Sequence, residues 1–398
     1  ATEDHDFDEI NYFNFGGKKL QWNKSASGAV GHLATDGLQE VFEAFAAGLG
    51  NSANAQTLKE LFTKAYLEHE TLTDATRYLA NALFGAYGLV IVDGDDAALK
   101  SLMVPYAKKD ILKALSFAKV SESASALKQV SDAYTIQVNP REINYFYLIP
   151  GVRERIIKRD DSYLVNDTDI TWSESELLKE LDEFPQRFSP NVIARPLYQE
   201  VILPNLCYIG GGGEIAYWLE LKAMFEAMQV AFPVLLVRNS ALVVSEKQRD
   251  KLKKLDLAPE DLFLNQNSFI NKKIRDISNI DIDFSPQKEL LEEQFKALYY
   301  LAEKTDASFL GAVKAQEVKQ KKGLDHLEKR LLKAQKRKLE DHVRRMTEIQ
   351  NELFPGQSLQ ERNLNFSELY LERGEALIPE LIAVLKPLDL HFDILTHH

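Results

Sequence analysis

Two kinds of hydrophobic patterning divide the chain. Over residues 36–87 apolar side chains recur every three or four positions: Leu38, Val41, Phe42 and Phe45 form one stripe, and Leu58, Leu61, Phe62, Ala65 and Tyr66 a second. That spacing puts each set on one helical face, and a third helix is predicted at about 74–86. Elsewhere the apolar residues come in short unbroken runs. Leu89 to Val92 leads into the acidic turn Asp93-Gly94-Asp95-Asp96, a run at about 134–138 precedes NPREINYFYL (139–148), and Pro233 to Val237 ends on Arg238. Short runs bounded by turn residues predict buried strands of the parallel type. Helix–strand alternation predicts a doubly wound α/β core carrying helical insertions. Residues 1–33 read as irregular or strand-like, and the charged stretch 151–190 as a small insertion.

From Ser285 the pattern changes. Two charge-rich helices are predicted at 286–304 and about 307–353, separated by Thr305 and the N-cap candidate Asp306. Leu291, Phe295, Leu298 and Ala302 alternate spacings of four and three. So do Leu324, Leu327, Leu331 and Ala334, and after a one-residue slip Leu339, Val343 and Met346. This is the seam of an antiparallel coiled coil over 286–354, and Gly323 weakens the second helix by about 1 kcal/mol without having to break it. At 1.5 Å per residue the longer helix extends about 70 Å. A compact core cannot cover that length, so a homodimer through this region is expected. Residues 355–398 form a short C-terminal region, and residues 1–285 the core.

The segment RPLYQEVILPNLCYIGGGGEIAYW (195–218) is the most informative. An apolar run from Val201 to Ile209 ends in Gly210, Gly211, Gly212 and Gly213, and a helix opens on Glu214 with Tyr217 and Trp218 close behind. Strand, glycine loop and helix N-terminus together expose backbone N–H groups to a ligand, and glycine permits positive φ and close approach. Gly211, Gly213 and Ala216 also fit a dinucleotide fingerprint. The Arg238 that ends the next strand, where an acidic ribose ligand belongs, opposes a dehydrogenase. Glu214 puts a carboxylate where a pyrophosphate would sit, which suits an amine or sugar hydroxyls better. Arg195, with its backbone restricted by Pro196, is a candidate clamp for a carboxylate or phosphate or else a strand-edge ion pair, with Gln199 and Glu200 beside it.

Near the start, Asp4, His5 and Asp6 gather one imidazole among carboxylates, followed by Asn11. A metal site, an acid–base pair and a nucleotide-contacting turn all remain open for this run. Metal sites need more spaced His or Cys ligands, so none is expected. The chain opens directly on this cluster and is expected to be a fragment of a longer protein.

Charge and composition narrow the partners. A net charge of −12 argues against broad nucleic-acid binding. The single cysteine, Cys207, excludes an intramolecular disulfide and suits a reducing cytoplasm. No apolar run approaches the ~20 residues that span a bilayer. The basic run from Lys329 to Lys338 reads as a solvated coiled-coil face.

ATEDHDFDEINYFNFGGKK (1–19), NPREINYFYL (139–148), the 195–218 segment and LEKRLLKAQKRK (327–338) together resemble the BshC family, the cysteine ligases of bacillithiol biosynthesis. The resemblance runs the length of the chain. It implies a Rossmann-like core related to class I aminoacyl-tRNA synthetases, connecting insertions, and an antiparallel coiled coil used in dimerisation. It also implies a reaction joining cysteine to glucosaminyl-malate as an amide, with loss of water. Family members carry a further N-terminal block with a TGHQ-type segment, so part of the sheet is expected to be missing here. An unactivated carboxylate forms amides slowly in water, so ATP cleavage is expected to drive the coupling, with ATP or ADP as the bound nucleotide. His5, Arg195 and the Gly210–Gly213 loop are candidates to stabilise charge, and Glu214 or Asp4 to orient the amine. Asp6, Asn11, Gln199, Tyr217, Trp218 and Arg238 are candidate substrate or nucleotide contacts. The alternative is a nucleotide-binding scaffold that acts through its coiled coil.

Overall fold

The structure is a computed structural model and describes residues 7–396. It divides into two compact units, one running to Ser240 and including Leu364–Asp393, the other Ala241–Asn363 with the residues from Ile394. The division falls well before the change of composition at Ser285.

The first unit opens with α1 (Phe7–Ile10) and the hairpin of β1 (Tyr12–Phe15) and β2 (Lys18–Gln21). Its turn places Gly16 and Gly17 at φ of 57° and 72°, where a Cβ is disfavoured. The two predicted stripes become α2 (Leu38–Leu49) and α3 (Ala53–Phe62), followed by α4 (Leu72–Phe84). Ser52 and Thr71 cap α3 and α4 through their side-chain oxygens. Phe45 sits at the centre of this cluster, its ring 5.0 Å from Phe15 and 5.7 Å from Phe62.

Two of the predicted strands do not form. Leu89 to Val92 joins no ladder among the described residues, and Val90 is 82% exposed. An extended backbone without a neighbouring strand has nothing to pair with. Residues 134–138 are also outside any strand. The Gln137 N–H donates to the Glu220 carboxylate at 2.8 Å instead of to a strand.

After α5 (Ala97–Lys113) and α6 (Leu115–Val130), the stretch expected as a small insertion builds most of a sheet. The strands β3 (Tyr145–Ile149), β4 (Val152–Arg159), β5 (Ser162–Val165), β6 (Thr171–Ser173) and β7 (Phe188–Pro190) run in the order β6-β5-β4-β3-β7, with antiparallel neighbours, and α7 (Glu174–Glu183) links the last two. Charged residues alternate with buried Ile156, Tyr163 and Val165, so one face is solvated and the charge hid the strands. A β-α-β unit follows: β8 (Cys207–Gly210), α9 (Gly212–Met228) and β9 (Val234–Val237), with β8 and β9 parallel. Trp218, Leu221, Met224 and Phe225 of α9 are fully buried in the shared core.

In the second unit β10 (Ser240–Val244, its first residue before the division) leads to α10 (Glu246–Lys254) and α11 (Gln266–Ile277). Then come α12 (Ser285–Ala302), α13 (Ala307–Lys338), α14 (Glu340–Leu353) and α15 (Gln360–Asn363). Asp306 caps α13 by accepting from the Ser308 and Phe309 N–H groups. α12 and α13 run antiparallel, cross-linked by Lys288 to Asp325 (2.7 Å) and Glu328 (3.0 Å) and by Lys321 to Glu292 (2.8 Å). Leu291, Phe295, Tyr299, Ala302 and Val313 pack in the seam. The long helix predicted to 353 breaks at Leu339, whose ψ of 30° leaves the helical range, at the position of the one-residue slip. α13 buries Val313, Leu332 and Gln335, while Leu327, expected in the seam, is exposed.

The chain returns to the first unit through α16 (Phe366–Arg373) and α17 (Leu377–Val384), where Tyr370 and Leu377 join the cluster around Phe45, and ends with β11 (Phe392–Thr396). Among the described residues no helix is long and apolar enough to cross a membrane.

Candidate functional site

The segment 195–218 is built differently from its apolar pattern. Arg195 opens a helix, α8 (Arg195–Ile202), with Pro196 in its first turn, rather than preceding a long strand. Pro is favoured there because the first helical N–H groups have no acceptor within the helix. Val201 and Ile202 therefore end a helix, and the strand is confined to Cys207–Gly210. Buried Glu200 holds the connection: it accepts from the Asn205 N–H at 2.8 Å and from the Asn205 side chain at 2.9 Å.

The start of α8 is fixed from below by buried polar groups. Asn191 Oδ1 accepts from the Ile193 N–H, its amide donates to Asn144, and Asn144 donates to Ser116 Oγ at 2.7 Å. Ser116 in turn donates to Asp110 through both its N–H (2.6 Å) and its hydroxyl (2.9 Å). Burial raises the Asp110 carboxyl above its ordinary range, against the opposing bonds from Ser116. Arg141 contributes its backbone to this turn, at 3.1 and 2.7 Å from the Asn144 side chain. Sequence reading missed the network, because four residues from four separate segments leave no spacing signal.

The glycine run ends β8 and begins α9. Gly210 is the last strand residue, Gly211 the N-cap, and Gly212 and Gly213 lie in the first helical turn. None of the four has positive φ, so the expected need for left-handed backbone is not the reason for them. Space is the reason at Gly210, where a Cβ would lie 2.7 Å from the Tyr208 ring and 3.1 Å from Glu214. At Gly212 and Gly213 a Cβ would meet nothing within 4 Å. Glu214 Oε2 accepts the Gly211 N–H at 2.6 Å, half of a capping box, since Gly211 has no side chain to return the bond. The N–H groups of Gly212, Gly213 and Glu214 keep no acceptor among the described residues.

Beside them lies a cleft of about 700 Å³. Arg195, Gln199, Glu214, Tyr217 and Trp218 all line it, joined by Asn205 and Tyr208. Tyr208 stacks on Trp218 with centroids 4.0 Å apart. Burial, then the nearby Tyr217 and Glu214, push its phenol well above its ordinary value, so it stays protonated. Arg238 donates its N–H to the Gly210 carbonyl at 2.8 Å, beside the glycines. The N-terminal half of α9 is anchored by Tyr134, whose hydroxyl donates to the Ala216 carbonyl at 2.7 Å. Burial first, then the Glu220 charge, push that phenol up to about 12.

The acidic turn after Val92 closes one side. Tyr198 donates to the Gly94 carbonyl at 2.8 Å. Asp95 pairs with His32 and with Lys100, which is 3% exposed. A buried ammonium needs such a partner, so this turn is rigidly held. Asn11 does not line the cleft; it lies in a second cavity of the same unit. Asp4, His5 and Asp6 lie outside the described residues. Among the described residues no cluster of His, Cys, Asp and Glu is arranged to hold a metal.

The model described as "Bacillithiol biosynthesis BshC, N-terminal Rossmann-like domain" matches residues 1–239, and "Bacillithiol biosynthesis BshC, C-terminal coiled-coil domain" matches 241–397. The chain belongs to the BshC family. Relatives named "Putative cysteine ligase BshC" from Christiangramia forsetii and Flavobacterium johnsoniae are each 58% identical, over 400 and 396 residues. One from Flavobacterium psychrophilum is 57% identical over 397. Each match covers all of this chain and 74% of the relative. The BshC chain thus has a Rossmann-like domain and a coiled-coil domain that meet in sequence at residue 240.

Proposed function

We propose that this chain is a ligase that joins cysteine to glucosaminyl-malate through an amide bond, with ATP driving the loss of water. The relatives' name supports the reaction class, and the observation that carries the site is the cleft beside α9. It gathers one cation and one carboxylate on aromatic and aliphatic walls, and through Glu214 it adjoins the α9 N-terminus, although Gly210 to Gly213 and Arg238 are not among its lining residues.

Each group has a task in such a reaction. The N–H groups of Gly212, Gly213 and Glu214 offer hydrogen bonds to an anion at the positive end of α9. The Arg195 guanidinium pairs with a substrate carboxylate, a geometry that favours two parallel hydrogen bonds. Glu214 Oε1, the oxygen not tied to Gly211, accepts from the incoming amine and orients it. Tyr208, Tyr217 and Trp218 exclude water from that end of the cleft. ATP, when bound, supplies the group that carries away the carboxylate oxygen. The Asp4, His5 and Asp6 segment is proposed, from the family resemblance, to serve the same chemistry.

Incubation of the protein with cysteine, glucosaminyl-malate and ATP, followed by mass spectrometry, tests this reading. An amide product that requires ATP is expected. ATP hydrolysis or binding without any amide would favour the scaffold alternative and overturn the ligase.

A further inference from the structure

The first unit contains a second cavity, of about 360 Å³, between the β1–β2 hairpin, α2, α3, α4 and the start of α16. It shares no lining residue with the cleft beside α9. Its walls are Trp22, Val41, Phe45, Leu58 and Phe62 with similar side chains, and none of its lining residues is Asp, Glu, Lys, Arg or His. A well-packed interior leaves few voids larger than a water molecule, so a space this large within an otherwise close-packed cluster stands out. Ligand sites commonly start at about 300 Å³.

Asn11 and Tyr66 in this wall make no side-chain hydrogen bond among the described residues. Trp22 donates to the Asp36 carbonyl at 3.0 Å, Thr76 to the Leu72 carbonyl at 2.7 Å, and Ser367 to Asn365 at 2.6 Å. The Asn11 side chain, in a residue only 7% exposed, makes no hydrogen bond among the described residues. Neither does the Tyr66 hydroxyl, and burial alone raises its phenol above the ordinary value. An amide that a ligand covers costs about 1–3 kcal/mol if it is left without a partner. A ligand that completes it avoids that cost.

We propose that this cavity is a binding site for a small, uncharged, mainly apolar molecule carrying one neutral hydrogen-bonding group, which Asn11 and Tyr66 recognise. The charged substrates of the proposed ligation are excluded by the same wall, because an ion there would lose its hydration with no counter-charge. The inference does not depend on the ligase reading. It assigns Asn11 to this cavity and not to a nucleotide.

The probe is N-phenyl-1-naphthylamine, a neutral two-ring fluorophore with one N–H donor, titrated into the whole chain. Saturable, blue-shifted emission at one dye per chain is expected. Asn11→Ala should weaken binding roughly twofold to tenfold, the loss of one hydrogen bond. Leu61→Trp, which fills the cavity, should abolish it. Thr76→Phe, at an exposed position on the rim, is the second blocking variant and leaves the core packing alone. Absence of saturable emission overturns the proposal. So does dye binding that survives in whichever of the two blocking variants melts like the parent.

Discussion

Glu214 Oε2 and the Gly211 N–H lie 2.6 Å apart, so the carboxylate nearest the cleft is also the clasp of its own helix. The two duties can be separated. Glu214→Gln keeps an oxygen for the Gly211 N–H and removes only the charge, whereas Glu214→Ala removes both. Glu214→Ala should lose about 1 kcal/mol of stability, as other cap losses do. Glu214→Gln should melt close to the parent. If Glu214 orients the amine, both variants should lose at least about tenfold in amide formation, equivalent to ~1.4 kcal/mol. Full activity in Glu214→Gln would leave the residue a cap and nothing more.

The glycines give a contrasting pair. Gly210→Ala pushes a methyl into the Tyr208 ring at 2.7 Å, and overpacking of that kind costs about 1–3 kcal/mol. Gly212→Val meets open space and needs no left-handed backbone, so the fold should stand. It nevertheless crowds the N–H groups proposed to face a ligand. Thermal melts should therefore fall for Gly210→Ala and hold for Gly212→Val, while product formation falls for Gly212→Val. An active Gly212→Val enzyme would remove the helix N-terminus from the site.

Salt bridges in the second unit make its stability depend on acid. Burial opposes it, but Lys288 and Arg275 outweigh that and hold the Glu328 carboxyl below its ordinary 4.5. A carboxyl lowered in the folded state contributes fully above its unfolded value and loses that contribution as pH falls through the lowered one. Glu328→Gln should thus melt below the parent at about pH 7, with the gap closing as pH drops below about 4.5. A gap that is constant over that range would mean that packing, not charge, is what the residue supplies.

Parts of this architecture were legible because local chemistry and tertiary packing agree. The stripes of α2 and α3 are buried as their spacing predicts, and Asp306 caps α13 where the chain shows a polar break. The run Val201 to Ile209 misled because β-branched residues also end α8, where Pro196 and the buried Glu200 decide the conformation. Leu89 to Val92 has every local mark of a strand, yet a strand is a relation between two segments, and no second segment pairs with it among the described residues. In the candidate cleft, Arg195 and Glu214 were visible as residues. The Asp110–Ser116–Asn144–Asn191 support beneath α8 was not, since hydrogen bonds across distant segments have no period.

The exposed face of the coiled coil leads to the last prediction. The α12–α13 seam consumes Leu291, Phe295 and Val313, but Leu298, Leu301, Val318 and Leu327 remain exposed, Leu301 and Leu327 each at 53%. Exposed apolar side chains of this size are reason to look for a partner, and a second copy of the chain is the proposed one. Leu327 is the better probe than Leu331, because Leu331 is half-buried and its loss would also disturb the intramolecular hairpin. Burying a leucine is worth about 1.5–3 kcal/mol, and two symmetry-related copies are lost at once in a dimer. Leu327→Glu should raise the dimer dissociation constant at least about a hundredfold, from ~2.7 kcal/mol or more, with helix content unchanged by circular dichroism. Light scattering across a dilution series reads the change directly. A parent that is monomeric at micromolar concentration would refute the dimer.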